Sequence, residues 1–252
     1  MSGTKPSRRT DLARRLTPAL VAALAFALFT QASRWLPSFA LRADVIASVA
    51  IGLALLAALV VALMPLREFG HWLLVITAVA LPLSAAFTHS GLLPAANVCK
   101  VVGAAALGFW LASQVTSLSV VVLIALIVIA IDIYSVFSGP TKAVLTRRPE
   151  WLGYLTIAFS WMGYAYSEAY SALGISDVIF YALFLGAAAA FGLRLRWTAV
   201  AMAASFLATV TAALYWRALP ALPLLSLAFL GVNADLVYRR LWARGGSRPA
   251  GL

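Results

Sequence analysis

Apolar runs of about 20 residues recur along the whole chain, near 17–36, 44–65, 71–88, 92–115, 117–138, 173–192, 197–216 and 219–238. A helix of that length crosses a hydrocarbon core of roughly 30 Å. Hydrophobic residues make up 63% of the 252 residues and charged ones 11%, too little polar surface for a water-soluble domain. The expected fold is therefore all-α, a polytopic membrane bundle of eight or nine transmembrane helices. The ninth would lie between 71 and 117, where Pro94, Asn97 and Lys100 interrupt the apolar pattern. The chain divides into a basic N-terminal tail (1–16), a helical scaffold (17–115), a second half of the same membrane domain (116–242) and a basic C-terminal tail (243–252).

Charge bears on topology rather than on nucleic acid. The formal charge of +11 comes largely from cations in the tails and between apolar runs, where they set orientation and meet anionic headgroups. Lys5, Arg8, Arg9, Arg14, Arg15, Arg67, Arg194, Arg196, Arg239, Arg240, Arg244 and Arg248 share one side of an eight-span arrangement. Arg34, Arg42, Lys142, Arg147, Arg148 and Arg217 share the other. That bias puts both termini in the cytoplasm. No nucleic-acid partner is expected. The first run follows a basic segment, but TQASRW is a poor cleavage site, so a retained anchor helix is expected. Lys100, inside an apolar run, is expected to snorkel to the nearer interface.

Several chemistries are poorly supplied. Cys99 is the single cysteine, which excludes an intrachain disulfide. His71 and His89, the two histidines, fall near run ends. No HExxH motif is present, so neither a metal nor a cofactor is expected. Of the eight acidic residues, most lie in tails or between runs. Asp235 has Arg239 one helical turn away and is expected to pair with it. Asp132, in VLIALIVIAIDIYSVF, and Asp177, in LGISDVIF, stand in or against apolar runs with no cation nearby in sequence.

A charged aspartate in hydrocarbon costs at least ~2.5 kcal/mol, so one retained there marks a function or a structural bond. Burial alone leaves three readings open: a hydrogen bond between helices, a proton or ion path, and catalysis. Two carboxyls meeting in a partly dry site cannot both ionise cheaply, so they share a proton. The ionised one takes a proton from water, which attacks an amide carbon. The protonated one polarises the carbonyl and assists the departing amine. Peptide hydrolysis by this route requires no metal, thiol or imidazole.

The mixed stretch 139–172 begins GPTK and includes RRPEW, which read as loop. Within it, GYLTIAFSW is short, aromatic and β-branched, and suits a strand or an interfacial segment better than a helix. Trp151, Tyr154 and Trp161 are equally consistent with interfacial anchoring. LPALP (Leu219 to Pro223) cannot be regular helix throughout. By itself it is a helix cap.

Three of these segments, in order over 125–232, resemble the presenilin and signal peptide peptidase family of intramembrane aspartyl proteases. IDIYSVF followed by TKAVL is similar to the family's YD helix, GISDVIFYALFLGAAAAFG to its GxGD helix, and LPALP to its PAL motif. Ile131 stands where the family has tyrosine, and Ser176 where it has the second glycine. Residues 1–112 carry no matching motif. The resemblance implies a catalytic pair, Asp132 and Asp177, and a substrate platform of Gly174, Ser176, Pro220, Ala221 and Leu222. It also implies that GYLTIAFSW offers an edge to an unwound substrate. The implied activity is endoproteolysis of transmembrane helices or remnant signal peptides, with those peptides and lipid as partners; the small size and sparse loops suggest a prokaryotic cytoplasmic-membrane enzyme. A proton-coupled transporter or channel using the same aspartates is the rival, and a catalytically silent helix-binding relative the third reading.

Overall fold

The computed structural model describes residues 8–139, 144, 146–164, 170–215 and 219–242. Lys5, Lys142 with most of TKAVL, Glu168, Arg217 and the tail 243–252 lie outside the described residues. Each apolar run is helical: α1 (Arg8–Ala32), α2 (Leu41–Ala62), α3 (Trp72–His89), α4 (Leu93–Gln114), α5 (Leu118–Phe137), α6 (Ile175–Ala190), α7 (Leu195–Ala213) and α8 (Leu222–Trp242). All but α6 are long and apolar enough to cross a membrane, which makes this a multi-pass membrane protein. Seven such spans are fewer than the eight or nine expected from the runs. The sixth run, 173–192, falls short because its first residues belong to a strand, leaving a helix of 16 residues, about 24 Å.

The ninth helix expected between 71 and 117 is not there. Only α3 and α4 lie between Trp72 and Gln114. Pro82 is accommodated inside α3, while Pro94 opens α4, where its missing N–H is not needed. His71 directly precedes α3 and His89 ends it, as their positions in the sequence suggest.

α4 is the centre of the bundle, packing most extensively on α3 and α6. The reason is its run of small residues, Gly103-Ala-Ala-Ala-Leu-Gly108, facing a second such run in α6. A Cβ added at Gly108 would lie 2.3 Å from the Ile179 carbonyl oxygen, and one at Gly186 would lie 2.7 Å from Ala112 Cβ. Backbones therefore meet nearly in contact, and α6 is buried along most of its length. Large apolar side chains on α5, such as Leu123, Leu126 and Ile131, are exposed instead, as a lipid-facing surface requires.

GYLTIAFSW contributes a strand. β1 (Thr156–Ser160) pairs antiparallel with β2 (Tyr170–Gly174), Thr156 opposite Gly174 and Ser160 opposite Tyr170. The hairpin is wedged into the scaffold. The Phe159 ring takes the space beside Gly52 of α2 and meets Phe26 of α1 edge-on, with centroids 6.3 Å apart. Met162 N–H donates to Ser48 Oγ at 2.9 Å.

Two polar residues of α4 hold this strand, and neither was assigned that role from sequence. Asn97 Nδ2 donates to the Ala158 carbonyl at 2.8 Å, and Ala158 N–H donates to Asn97 Oδ1 at 3.3 Å. Lys100, only 2% exposed, donates to the carbonyls of Gly153 at 2.5 Å and Thr156 at 2.8 Å. The expected snorkelling does not occur, because these carbonyls supply in the interior the acceptors that water would supply at the interface. Asn97 and Lys100 are three residues apart and so share a helix face. Asn97→Ala would leave a buried N–H and C=O unpaired, at about 1–3 kcal/mol per group. It is expected to lower the unfolding midpoint in detergent markedly, whereas Asn97→Gln, which keeps both groups, should lower it less.

Candidate active site

The elements α5, α6 and α8 bring the sequence-selected residues together. Asp132 lies near the end of α5 and is half-buried. Its Oδ2 accepts a hydrogen bond from the backbone N–H of Leu222, 90 residues away, at 3.0 Å. That N–H belongs to the first turn of α8, where the helix has no acceptor of its own to offer. Asp132 thus caps α8 from a different helix. Pro220 and Ala221 precede this turn in non-helical backbone and are half-buried, and Pro223 occupies its second position.

Asp177 lies in the first turn of α6. The chain reaches it through β2 and turns helical at Ile175. The carboxyl is 8% exposed, and its Oδ2 accepts from Gly174 N–H at 3.0 Å. This is half of a capping box, since glycine has no side chain with which to return the bond. A Cβ at Gly174 would stand 3.1 Å from Asp177 Oδ2 and 3.2 Å from Ser176 Oγ. The glycine therefore leaves room for the carboxylate, and Ser176, which is exposed, sits beside it.

The two clusters adjoin. α5, which carries Asp132, packs both on α6, which carries Asp177, and on α8. In each aspartate Oδ2 takes the backbone bond, and no described donor reaches either Oδ1. Both carboxyls are held by main-chain N–H groups, so their positions depend on helix packing rather than on flexible partners.

The hairpin ends at this site, and its available edge differs from the one expected. Because Ala158 directs its N–H and C=O to Asn97, the opposed pair Ala158 and Ala172 both point away from each other. The outer edge of β1 is therefore buried against α4. The edge of β2 at Ala172 faces outward, Ala172 is exposed, and the sheet has two strands among the described residues. This edge runs directly into Gly174 and Asp177.

Two other acidic residues differ from expectation. Asp44, grouped with those outside the apolar runs, is 3% exposed, and both its oxygens accept from Phe39 N–H at 3.1 Å. Asp235 does not pair with Arg239. Arg194 reaches it from the start of α7 at 2.8 Å, oriented by a second bond from its guanidinium to the Val232 carbonyl. No family model, no curated protein and no solved structure matches this chain.

Proposed function

We propose that this protein is an intramembrane aspartyl endopeptidase that hydrolyses peptide bonds of transmembrane helices or remnant signal peptides. The observation that carries this reading is the convergence of Asp132, Asp177 and the LPALP backbone, from three helices, on one partly dry locus. The ionised carboxyl takes a proton from water, and the hydroxyl so formed adds to the amide carbon. The protonated carboxyl hydrogen-bonds the carbonyl oxygen, then protonates the nitrogen as the C–N bond breaks. The reaction regenerates the pair with one shared proton and requires no other group.

A helical peptide bond is shielded by its own hydrogen bonds, so substrate must unwind first. The outer edge of β2 at Ala172 supports a substrate that adds as a third strand, which would lay its next residues over Gly174 and Asp177. Leu222, whose N–H binds Asp132, and the non-helical Pro220 and Ala221 before it would meet the substrate from the side of α8. Counting the short, protein-enclosed α6 as an eighth crossing puts both termini in the cytoplasm, as the cation bias suggests, and α6 then runs from outside to inside. This resembles the orientation of signal peptide peptidase and favours substrates with a cytoplasmic N-terminus.

The test is cleavage of a fluorogenic transmembrane peptide by purified protein in detergent, paired with proton flux in liposomes. Cleavage is expected. Substrate-dependent proton flux with no cleavage would replace the protease with a transporter. Gly174→Ala supplies a finer check. The backbone at Gly174 (φ −64°, ψ 145°) accepts alanine without strain. Its methyl group would instead press on Asp177 Oδ2, so turnover should fall while the unfolding temperature stays nearly unchanged.

A further inference from the structure

At the end of the bundle remote from the aspartates, a cleft of about 490 Å³ opens between the start of α5 and the ends of α6 and α8. Its size is that of small-ligand sites, ~300–1,000 Å³. Thr116, Ser117, Ser119, Phe191, Arg239 and Arg240 are among the residues that line it. We propose that this cleft binds a phosphate ester, supplied either by the headgroup of an anionic phospholipid or by a soluble phosphate.

The two arginines have different states. Arg240 is committed: it donates to the carbonyl of Phe191 and, at 3.2 Å, to that of Gly192, closing the end of α6 and fixing a positive charge in the wall. Arg239 is available. Its expected partner Asp235 is taken by Arg194, and Arg239 donates to no described residue. Its planar fork matches two oxygens of a phosphate. Opposite stand three hydroxyls. Ser117 occupies the N-cap position of α5 in extended backbone (φ −143°, ψ 151°), yet its side chain makes no capping bond. The first N–H groups of α5 therefore lack a side-chain cap, and Leu118 and Ser119, which carry two of them, line the cleft. Guanidinium and hydroxyl donors lining one space at an uncapped helix start, with Asp235 already paired to Arg194, describe a site for a multiply accepting anion. Its place at the helix ends is the depth at which phospholipid phosphates lie.

The test uses the full-length protein in nonionic detergent, with binding followed by native mass spectrometry. The probes are dioleoylphosphatidylglycerol, dioleoylphosphatidylcholine and inorganic phosphate. A saturable adduct with phosphatidylglycerol, preferred over phosphatidylcholine, is expected. Arg239→Gln should weaken it at least about tenfold, the effect of losing a charge-assisted bond pair. Ser117→Ala should weaken it by a smaller factor. Arg196→Gln removes another exposed cation, outside the cleft, and should change nothing. Displacement of the lipid by millimolar phosphate identifies the phosphate group itself as the ligand, and resistance to displacement identifies the intact lipid; either supports the site. Absence of a saturable adduct with any probe overturns it. So does binding insensitive to Arg239→Gln, or a loss equal for Arg239→Gln and Arg196→Gln, which would mean diffuse attraction to a chain of charge +11.

Discussion

Asp132→Asn and Asp177→Asn are each expected to lower cleavage of a transmembrane peptide by at least about 10²-fold, the lower end of what a positioned acid or base contributes. Asparagine keeps an oxygen that can accept from Leu222 N–H in one case and Gly174 N–H in the other, so both variants should fold. The double variant should be scarcely worse than either single one, because the two carboxyls act on one proton as a unit. Undiminished cleavage by either single variant would end the two-aspartate mechanism. Equal losses of activity and of thermal stability would mean that capping, not chemistry, is what the carboxyls supply. Peptide turnover and the unfolding midpoint, measured on the same preparations, separate these outcomes.

Gly108→Leu is expected to have the largest effect on stability. Its first added carbon would fall 2.3 Å from the Ile179 carbonyl oxygen and 2.7 Å from Ala182 Cβ. Neither is the far end of a flexible side chain, so relief requires α4 and α6 to separate. Overpacking of this kind costs about 1–3 kcal/mol and sometimes more. Because α6 carries Asp177, activity should be lost with it. Gly231→Ala is the control. On α8 nothing lies within 4 Å of the added methyl, so stability should hold or rise by a few tenths of a kcal/mol. If Gly108→Leu proved as harmless as Gly231→Ala, the close contact between α4 and α6 would be wrong.

Ser226 illustrates the limits of polarity as a guide. Its hydroxyl is buried on α8 with no described hydrogen-bond partner, whereas Asn97 and Lys100, equally buried, anchor a strand. Sequence marks all of these as polar residues in apolar runs and does not rank them. The signal that could have identified Asn97 and Lys100 was their spacing of three on one helix, which places two polar groups on a single face. Asp44 lacked even that, lying at a run boundary where a carboxylate is unremarkable.

The order of apolar runs and the membrane environment were legible in the chain; GYLTIAFSW read as a strand or an interfacial segment, and Asp132, Asp177 and LPALP stood out from their apolar surroundings. Each depends on local composition or on the backbone limits of proline and β-branched residues, which act within a few positions. Tertiary structure alone decided that 173–192 enters as a strand, so that Asp177 begins a helix. It also decided that Asp132 caps α8 rather than its own helix, that Lys100 turns inward, and that Arg194 takes Asp235 from Arg239. These are matters of which acceptor lies nearest a donor once helices pack. Residues 41 to 90 positions apart supply those acceptors, and no pattern within one run records the distance.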